Sequence, residues 1–273
     1  MSKIFHGEAP DSQAMVKEFY DWIRDYWVTI SRSPQGESMH MLNFGYWLEQ
    51  ENTLFQAQAN MRDHVFGHLS GLPSGAEGLE IGCDIGGMTA FVAGRGYQVT
   101  CLDIVHEQLL RARALIRAQG LGDAVRFSLG NSMAIPFRDA YFDFIYCLES
   151  AFHYHDKPAF LRESRRVLKS GGEAVIADIT CEDNARVTFG RGNFFADSAT
   201  WRSMIDAAGF ELIRHEKIGP RVYEPLRRYL SGVTKQKELR SRVGRFWSRV
   251  LTNYAELAMQ GIMDYEIFKV RKP

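Results

Sequence analysis

Cysteine is scarce in this chain: four among 273 residues, Cys83, Cys101, Cys147 and Cys181. They are far apart, form no CxxC pair and lie in or beside apolar runs, which argues against a disulfide framework or a thiolate metal cluster and marks them as reduced packing residues. An excess of charge of one sign is missing too. Thirty-three Lys and Arg stand against 33 Asp and Glu, so the basic balance of a nucleic-acid binder is absent. No run reaches the roughly 18 to 20 apolar residues of a membrane span, and the opening MSKIFHGEAPDSQ has no apolar leader core. A soluble, cytoplasmic protein without membrane or nucleic-acid partner is expected; self-association as a homodimer stays open. What is abundant is apolar content, 45%, enough for one large core with a cap on it.

Ser12 to Arg32 places Val16, Phe19, Tyr20, Ile23, Tyr26, Trp27 and Ile30 at spacings of three and four, one face of an amphipathic helix. The aromatic MLNFGYWLEQE (Met41 to Glu51) and a second helical stretch through Leu69 follow, and SGLPSGAEG (Ser70 to Gly78) reads as a connector. Residues 1–70 are therefore expected as an N-terminal helical cap, and 71–273 as a core. In the core, short β runs at Gly78–Ile81, Gln98–Asp103, Val125–Leu129, Phe142–Leu148 and Glu173–Ile179 alternate with helical segments. Gly120, and Gly171 with Gly172, are expected to stop two of those helices. Such β-α-β-α order predicts an α/β fold of the Rossmann-like, doubly wound kind, with a mostly parallel, seven-stranded sheet. Its last two strands are read in ELIRHEKI and DYEIFKVRKP, and a helical, locally basic insertion at 221–261 interrupts the pattern.

LEIGCDIGG, residues 79 to 87, resembles a nucleotide-binding turn with Asp84 where a glycine belongs. Asp103 ends the next strand about 20 residues on, where a carboxylate can grip ribose hydroxyls. An adenosine-type cofactor follows. A diphosphate against Asp84 would meet repulsion, whereas S-adenosylmethionine (SAM) has no phosphate and carries an ammonium and a sulfonium. Asp also tolerates positive φ. The other reading of Asp84 turns its carboxylate to solvent.

The segments GLEIGCDIGGMTAFVAGRGYQVTCLDI, VRFSLGNSMAIPFRDAYFDFIYCLESAFHYHDKPAFLRESRRVLKSGGEAVIADI and DYEIFKVRKP resemble class I SAM-dependent methyltransferases, especially the small-molecule branch that acts on sterols, tocopherols, quinones and natural products. The resemblance is close over roughly Met41 to Ile179. It implies that Glu80, Gly82 and Gly86 hold the methionine end of SAM and Asp103 the ribose; Asp84, on grounds of charge, and Ile104 are counted with them as cofactor-binding. Asn131, Ser132 and Met133 fall at the adenine amino group, with the Asn131 amide oxygen in place of the family's acid. Leu148 offers a backbone carbonyl to the ammonium, and Tyr20 resembles a lid tyrosine.

Methyl transfer asks a protein to align the acceptor, exclude water and, for a hydroxyl acceptor, remove a proton. His153 and Asp178 stand at the carboxyl edge of the sheet, where ligands bind in such folds, and the resemblance favours His153 as base. His153 as a hydrogen-bonded structural residue, and Asp178 as an orienting group, are the competing readings. Tyr46 and Trp47 either stack on substrate or sulfonium or form a packed hinge. The basic residues Arg221, Arg227, Arg228, Lys235, Lys237, Arg240, Arg242 and Arg245 make either a solvated helix face or an anion site, with Arg227 its leading member.

A small-molecule methyltransferase is the leading expectation. The same scaffold supports a SAM-consuming intramolecular reaction that releases methylthioadenosine, for which Asp84 is the motive, or a non-catalytic SAM-fold module. Nucleic-acid methylation is disfavoured by the absence of NPPY-like and Pro-Cys motifs.

Overall fold

The computed structural model describes residues 12–33, 35–48, 53–69, 71–188, 192–233 and 241–273, with side chains from residue 17 onward. Apolar runs and turn glycines lay down seven strands: β1 Glu77–Ile81, β2 Gln98–Asp103, β3 Val125–Leu129, β4 Phe142–Leu148, β5 Leu168–Cys181, β6 Glu211–Lys217 and β7 Met263–Arg271. They form one sheet in the order β3-β2-β1-β4-β5-β7-β6. Strands β1 to β5 pair in parallel, and β7 runs antiparallel between β5 and β6. The mostly parallel seven-stranded α/β sheet is thus present. The strand order reverses beside β1 and β4, the crevice where doubly wound sheets bind ligands at their carboxyl ends.

Helices α3 Gly87–Ala93, α4 His106–Ala118, α5 Lys157–Val167 and α6 Ser198–Ala207 are the crossovers. Gly120, at φ 71°, follows the end of α4 as the expected helix stop. Gly171 and Gly172 do something else. Helix α5 ends at Val167, and both glycines lie within β5, beside a register shift against β4 between Phe142 and Phe144. Gly172 faces close approach there: a Cβ would stand 2.8 Å from the Asp143 carbonyl oxygen.

One face of the sheet carries the remaining helices: α1 Ser12–Ile30, α2 Leu54–Gly67, α7 Tyr223–Val233 and α8 Arg242–Met259. Sequence-distant aromatics bind them together. Trp27 packs against Trp247 at 5.1 Å, Trp47 against Tyr229 at 5.4 Å, and the Tyr229 hydroxyl donates to the Ile30 carbonyl at 2.6 Å. The early helices and the late insertion therefore share one apolar roof. No helix among the described residues is long and apolar enough to cross a membrane. All four cysteines are buried and free.

Candidate active site

The turn after β1 is built by backbone geometry that few residues allow. Gly82 has φ 75°, and a Cβ there would sit 2.4 Å from Ser150 Oγ; only glycine fits. Asp84 takes φ 48°, the positive value expected for it. Its N–H donates to Asp103 Oδ2 at 3.0 Å, while Asp103 Oδ1 accepts from Val105 N–H at 2.9 Å. The two acids are thereby held edge to edge around the ends of β1 and β2. Gln108 Nε2 donates to Asp84 Oδ1 at 2.7 Å, and Asp84 Oδ2 is shielded without a hydrogen-bond partner. The alternative of an Asp84 carboxylate turned to solvent does not match this geometry.

A cavity opens over this turn. Its lining includes Tyr20, Glu80, Gly82, Asp84, Asp103, Ile104, Asn131, Ser132, Met133, Leu148 and His153, so eleven sequence-derived candidates converge on one space. Asn131 anchors its own turn through Met133 N–H to Oδ1, 2.8 Å. Glu80 is held at the base by hydroxyls from Thr89 and Tyr146.

The electrostatics are one-sided. Burial, against two stabilising hydroxyls, pushes the Glu80 carboxyl up to about 8; burial and Asp103 push Asp84 to about 7; burial pushes Asp103 to about 6. Glu149, at the same rim, is raised well above the carboxylate range by desolvation. Among the described residues neither Lys nor Arg lines the cavity. A cationic ligand would relieve this cluster and a diphosphate would aggravate it, so SAM fits these residues and a dinucleotide does not.

A second, smaller cavity adjoins the first, lined mainly by aromatics: Phe19, Trp27, Phe44, Phe152, Trp247 and Tyr254, together with Asn193. Tyr20, Leu42 and Glu149 line both cavities and form the partition. At that partition Tyr20 Oη lies 3.4 Å from His153 Nε2, and His153 Nδ1 lies 3.1 Å from the Gly192 carbonyl oxygen. Burial holds the His153 ring down at about 4. The carbonyl requires a proton on Nδ1, leaving Nε2 with its lone pair to accept from Tyr20.

Five candidates lie elsewhere. Gly86 lines neither cavity; it caps α3 at φ 87°, where a Cβ would meet Ala112 Cβ of α4 at 2.8 Å, so its missing side chain lets the two helices approach. Asp178 is fully buried on the sheet face opposite the aromatic chamber, because Ala177 and Ile179 take the chamber-side positions of β5. Burial raises it to about 7 against the opposing charge of Lys157, and it lines neither cavity.

Tyr46 stacks on His64 at 4.5 Å and 7°, and buried Trp47 donates from Nε1 to the Phe44 carbonyl at 3.0 Å. The reason is Gly45: at φ 80° it passes so near α2 that a Cβ would stand 2.6 Å from Ala57 Cβ. This turns Phe44 inward and sends its two neighbours into the packed hinge. Arg227 is taken by Glu224 through two bonds of 2.7 Å and lines neither cavity. Lys235, Lys237 and Arg240 lie outside the described residues.

Sequence reasoning passed over Glu149 and Phe44. Glu149 was legible as an acid directly after an apolar strand at the carboxyl edge. Phe44 was legible only as one of three aromatics around a glycine, with nothing local to say which turns inward.

Residues 79–176 match the model of a methyltransferase domain. The chain is 31% identical over 176 residues to methyltransferase GfsG of Streptomyces halstedii, covering 63% of this chain and 63% of that protein. It is 32% identical over 198 residues to a sterol 24-C-methyltransferase of Gibberella zeae, covering 67% of this chain and 50% of that protein. The chain thus spans half to under two thirds of the length of these curated relatives. Its fold matches the crystal structure of the [4+2]-cyclase SpnF with a TM-score of 0.79 at 24% identity, covering 97% of this chain and 98% of that one. Other structures of this fold hold S-adenosylhomocysteine. Fold and acid-lined turn define a Rossmann-like protein built for a cationic nucleoside cofactor. The chain carries a methyltransferase domain over residues 79–176 and is similar to class I SAM-dependent methyltransferases.

Proposed function

We propose that this protein methylates a small-molecule acceptor that is largely apolar and neutral or cationic, held in the aromatic chamber. The observation that carries the reading is the partition: Tyr20, Leu42 and Glu149 border both cavities, so an acceptor in the chamber would face the cofactor space directly. SAM supplies an electrophilic methyl on a sulfonium. Glu80, Gly82, Asp84 and Leu148 would hold its methionine end, Asp103 and Ile104 the ribose, and Asn131 to Met133 the adenine.

The chain's own residues do the rest. Aromatic walls exclude water and orient an apolar body. His153 offers an uncharged Nε2 beside the partition, suited to take a proton from a hydroxyl or ammonium acceptor. Among the described residues no Lys or Arg lines the chamber, which weighs against the anionic acceptor suggested by the basic insertion.

Asp84 keeps a second reaction in play. Asp84 lines the cofactor cavity with its Oδ2 buried and unpartnered, and an extra carboxylate beside the methionine end of SAM could bind or deprotonate the ammonium, as self-consumption with release of methylthioadenosine would need. Incubation of purified protein with SAM, first alone and then with panels of apolar phenols and amines, separates the two. S-adenosylhomocysteine formed only with an acceptor supports methyl transfer. Methylthioadenosine formed without one would overturn it.

A further inference from the structure

We propose that His64, His68 and Glu216 form a binding site for a divalent transition metal of the zinc type, joining the end of α2 to the edge strand β6 and separate from the cofactor cavity.

His64 lies in the last turn of α2 and His68 caps it. Four residues apart, they project from one side of the helix, the arrangement by which two histidines take one zinc ion. Glu216 reaches across from β6 and faces both. His64 Nε2 is 3.2 Å from Glu216 Oε1, and His68 Nε2 is 3.4 Å from Glu216 Oε2. Metal–ligand bonds of about 2.0 to 2.1 Å in tetrahedral array put neighbouring donor atoms roughly 3.3 Å apart. The two contacts run to different oxygens of Glu216, so each histidine already stands at that distance from one carboxylate oxygen, and one ligand atom from each of the three residues lies within 4.8 Å of the other two. Among the described residues no other grouping of three histidine, cysteine or carboxylate ligands meets that spacing.

The donors suit the ion. Two imidazoles and one carboxylate favour zinc and its neighbours over magnesium, which prefers oxygen ligands and retained water. His68 is nearly buried, whereas His64 and Glu216 are each about one quarter exposed, 25% and 24%, so an ion can enter from solvent and a water can complete the shell. Tyr46 stacked on His64 fixes the ring plane. The positive groups nearby are Arg214 and Lys269. Arg214 Nη2 sits 3.4 Å from Glu216 Oε2 on a side chain that is 60% exposed, so it can withdraw when a metal takes the carboxylate. None of the three ligands lines either cavity. An ion here would fasten α2, against which Gly45 and Tyr46 pack, to the edge strand of the sheet.

The test uses the full chain without an affinity tag, stripped with a chelator, and titrated calorimetrically with zinc chloride and, in parallel, magnesium chloride. One saturable zinc site with a micromolar or tighter Kd, and none for magnesium, is expected. Glu216→Gln and His68→Ala should each weaken binding by about tenfold or more, and zinc should raise the Tm of the parent but not of His68→Ala. His155→Ala, an exposed histidine elsewhere, should change nothing. Cobalt added to the unmutated chain should develop visible d–d absorption, a readout independent of whether a variant folds. Absence of saturable zinc binding and of the cobalt band, or unchanged affinity in both ligand variants, would overturn the proposal.

Discussion

Tyr20 and His153 come from chain positions 133 residues apart, yet the phenol oxygen lies 3.4 Å from Nε2 while Nδ1 points at the Gly192 carbonyl. The carbonyl fixes the tautomer, so Nε2 is the only ring atom able to take a proton. If His153 is the base, His153→Gln should lower kcat by about 100-fold or more, the usual scale of general-base loss. SAM affinity should stay within about threefold, because the ring contributes little to the cofactor turn. Tyr20→Phe should lower kcat less, about tenfold or under, since it frees the lone pair while loosening its position. Retention of most activity in His153→Gln would return this residue to a structural role.

The acid-lined cavity makes cofactor binding depend on pH, with a sign that can be worked out. A carboxyl whose folded pKa is raised stabilises the fold below its unfolded pKa, and that contribution is lost as pH rises through the folded value. Glu80 at about 8 and Asp84 at about 7 therefore weaken the cofactor-free protein as pH climbs from 6.5 to 7.5. Buried Asp178, at about 7, adds to the fall in stability without touching the cofactor. His68 and His153, held down at about 4, act in the opposite sense, but mostly below the ordinary histidine pKa of about 6.5. A cationic ligand binds the ionised acids, so SAM affinity should strengthen by roughly tenfold across that interval while the Tm of the free protein falls. Calorimetry and thermal melts at four pH values check both. A flat affinity profile would mean that these acids do not meet the cation.

Gly82 has no tolerable replacement. At φ 75° with Ser150 Oγ 2.4 Å from a hypothetical Cβ, Gly82→Ala must displace Ser150. That hydroxyl donates to the Ile81 carbonyl at 3.1 Å and meets Tyr154 Oη at 2.9 Å, so the displacement spreads from the β1 turn to the segment after β4. Strain of about 1 to 3 kcal/mol is expected in stability, together with a loss of SAM affinity of about tenfold or more. Equal binding by the variant would separate this turn from the cofactor.

Much of this architecture was readable in the chain because local and global signals agree. β2, β3 and β4 follow their apolar runs residue for residue, and strand-helix alternation with turn glycines leaves little choice of topology. The cofactor turn was legible for the same reason: Gly82, Asp84 and Asp103 answer to spacing and backbone conformation. Legibility fails where tertiary packing chooses among equivalent neighbours. Phe44, Tyr46 and Trp47 are similar in type, and only the close passage of Gly45 against α2 decides which one faces the chamber. Arg227 looks like an anion site in a list of charges, until Glu224 three residues earlier is seen to occupy it. Asp178 shows the limit of a rule that places residues at a sheet edge without saying which face they take.

Arg227 yields a prediction of no effect. Its guanidinium makes an ion pair with Glu224 on its own helix, both side chains 34% exposed, and such partly exposed pairs contribute about 0.3 to 0.5 kcal/mol. Arg227→Ala should leave the acceptor KM within about twofold, and Tm nearly unchanged. A KM rise of about tenfold would restore the anionic acceptor and displace the neutral or cationic one.

Glu149 is the most informative substitution, because it stands in the partition and is tied from both sides. Its Oε2 accepts from Phe44 N–H at 3.0 Å and from the Tyr265 hydroxyl at 3.1 Å, and its backbone takes φ 52°. An amide oxygen can keep both bonds, so Glu149→Gln removes the ability to ionise beside a cation and spares the scaffold. Glu149→Ala removes the bonds as well, leaving a buried N–H unpaired at a cost of about 1 to 3 kcal/mol. If the carboxylate balances positive charge on an amine acceptor, Glu149→Gln should lower kcat/KM for amines by about tenfold or more while phenols lose little. SAM binding should change by less than about threefold, since Glu80 and Asp84 remain. If both acceptor classes fall together with SAM affinity, Glu149 serves the cofactor rather than the acceptor. If neither falls while Glu149→Ala unfolds the protein, the carboxyl holds Phe44 in place and the choice of acceptor rests on the aromatic walls alone.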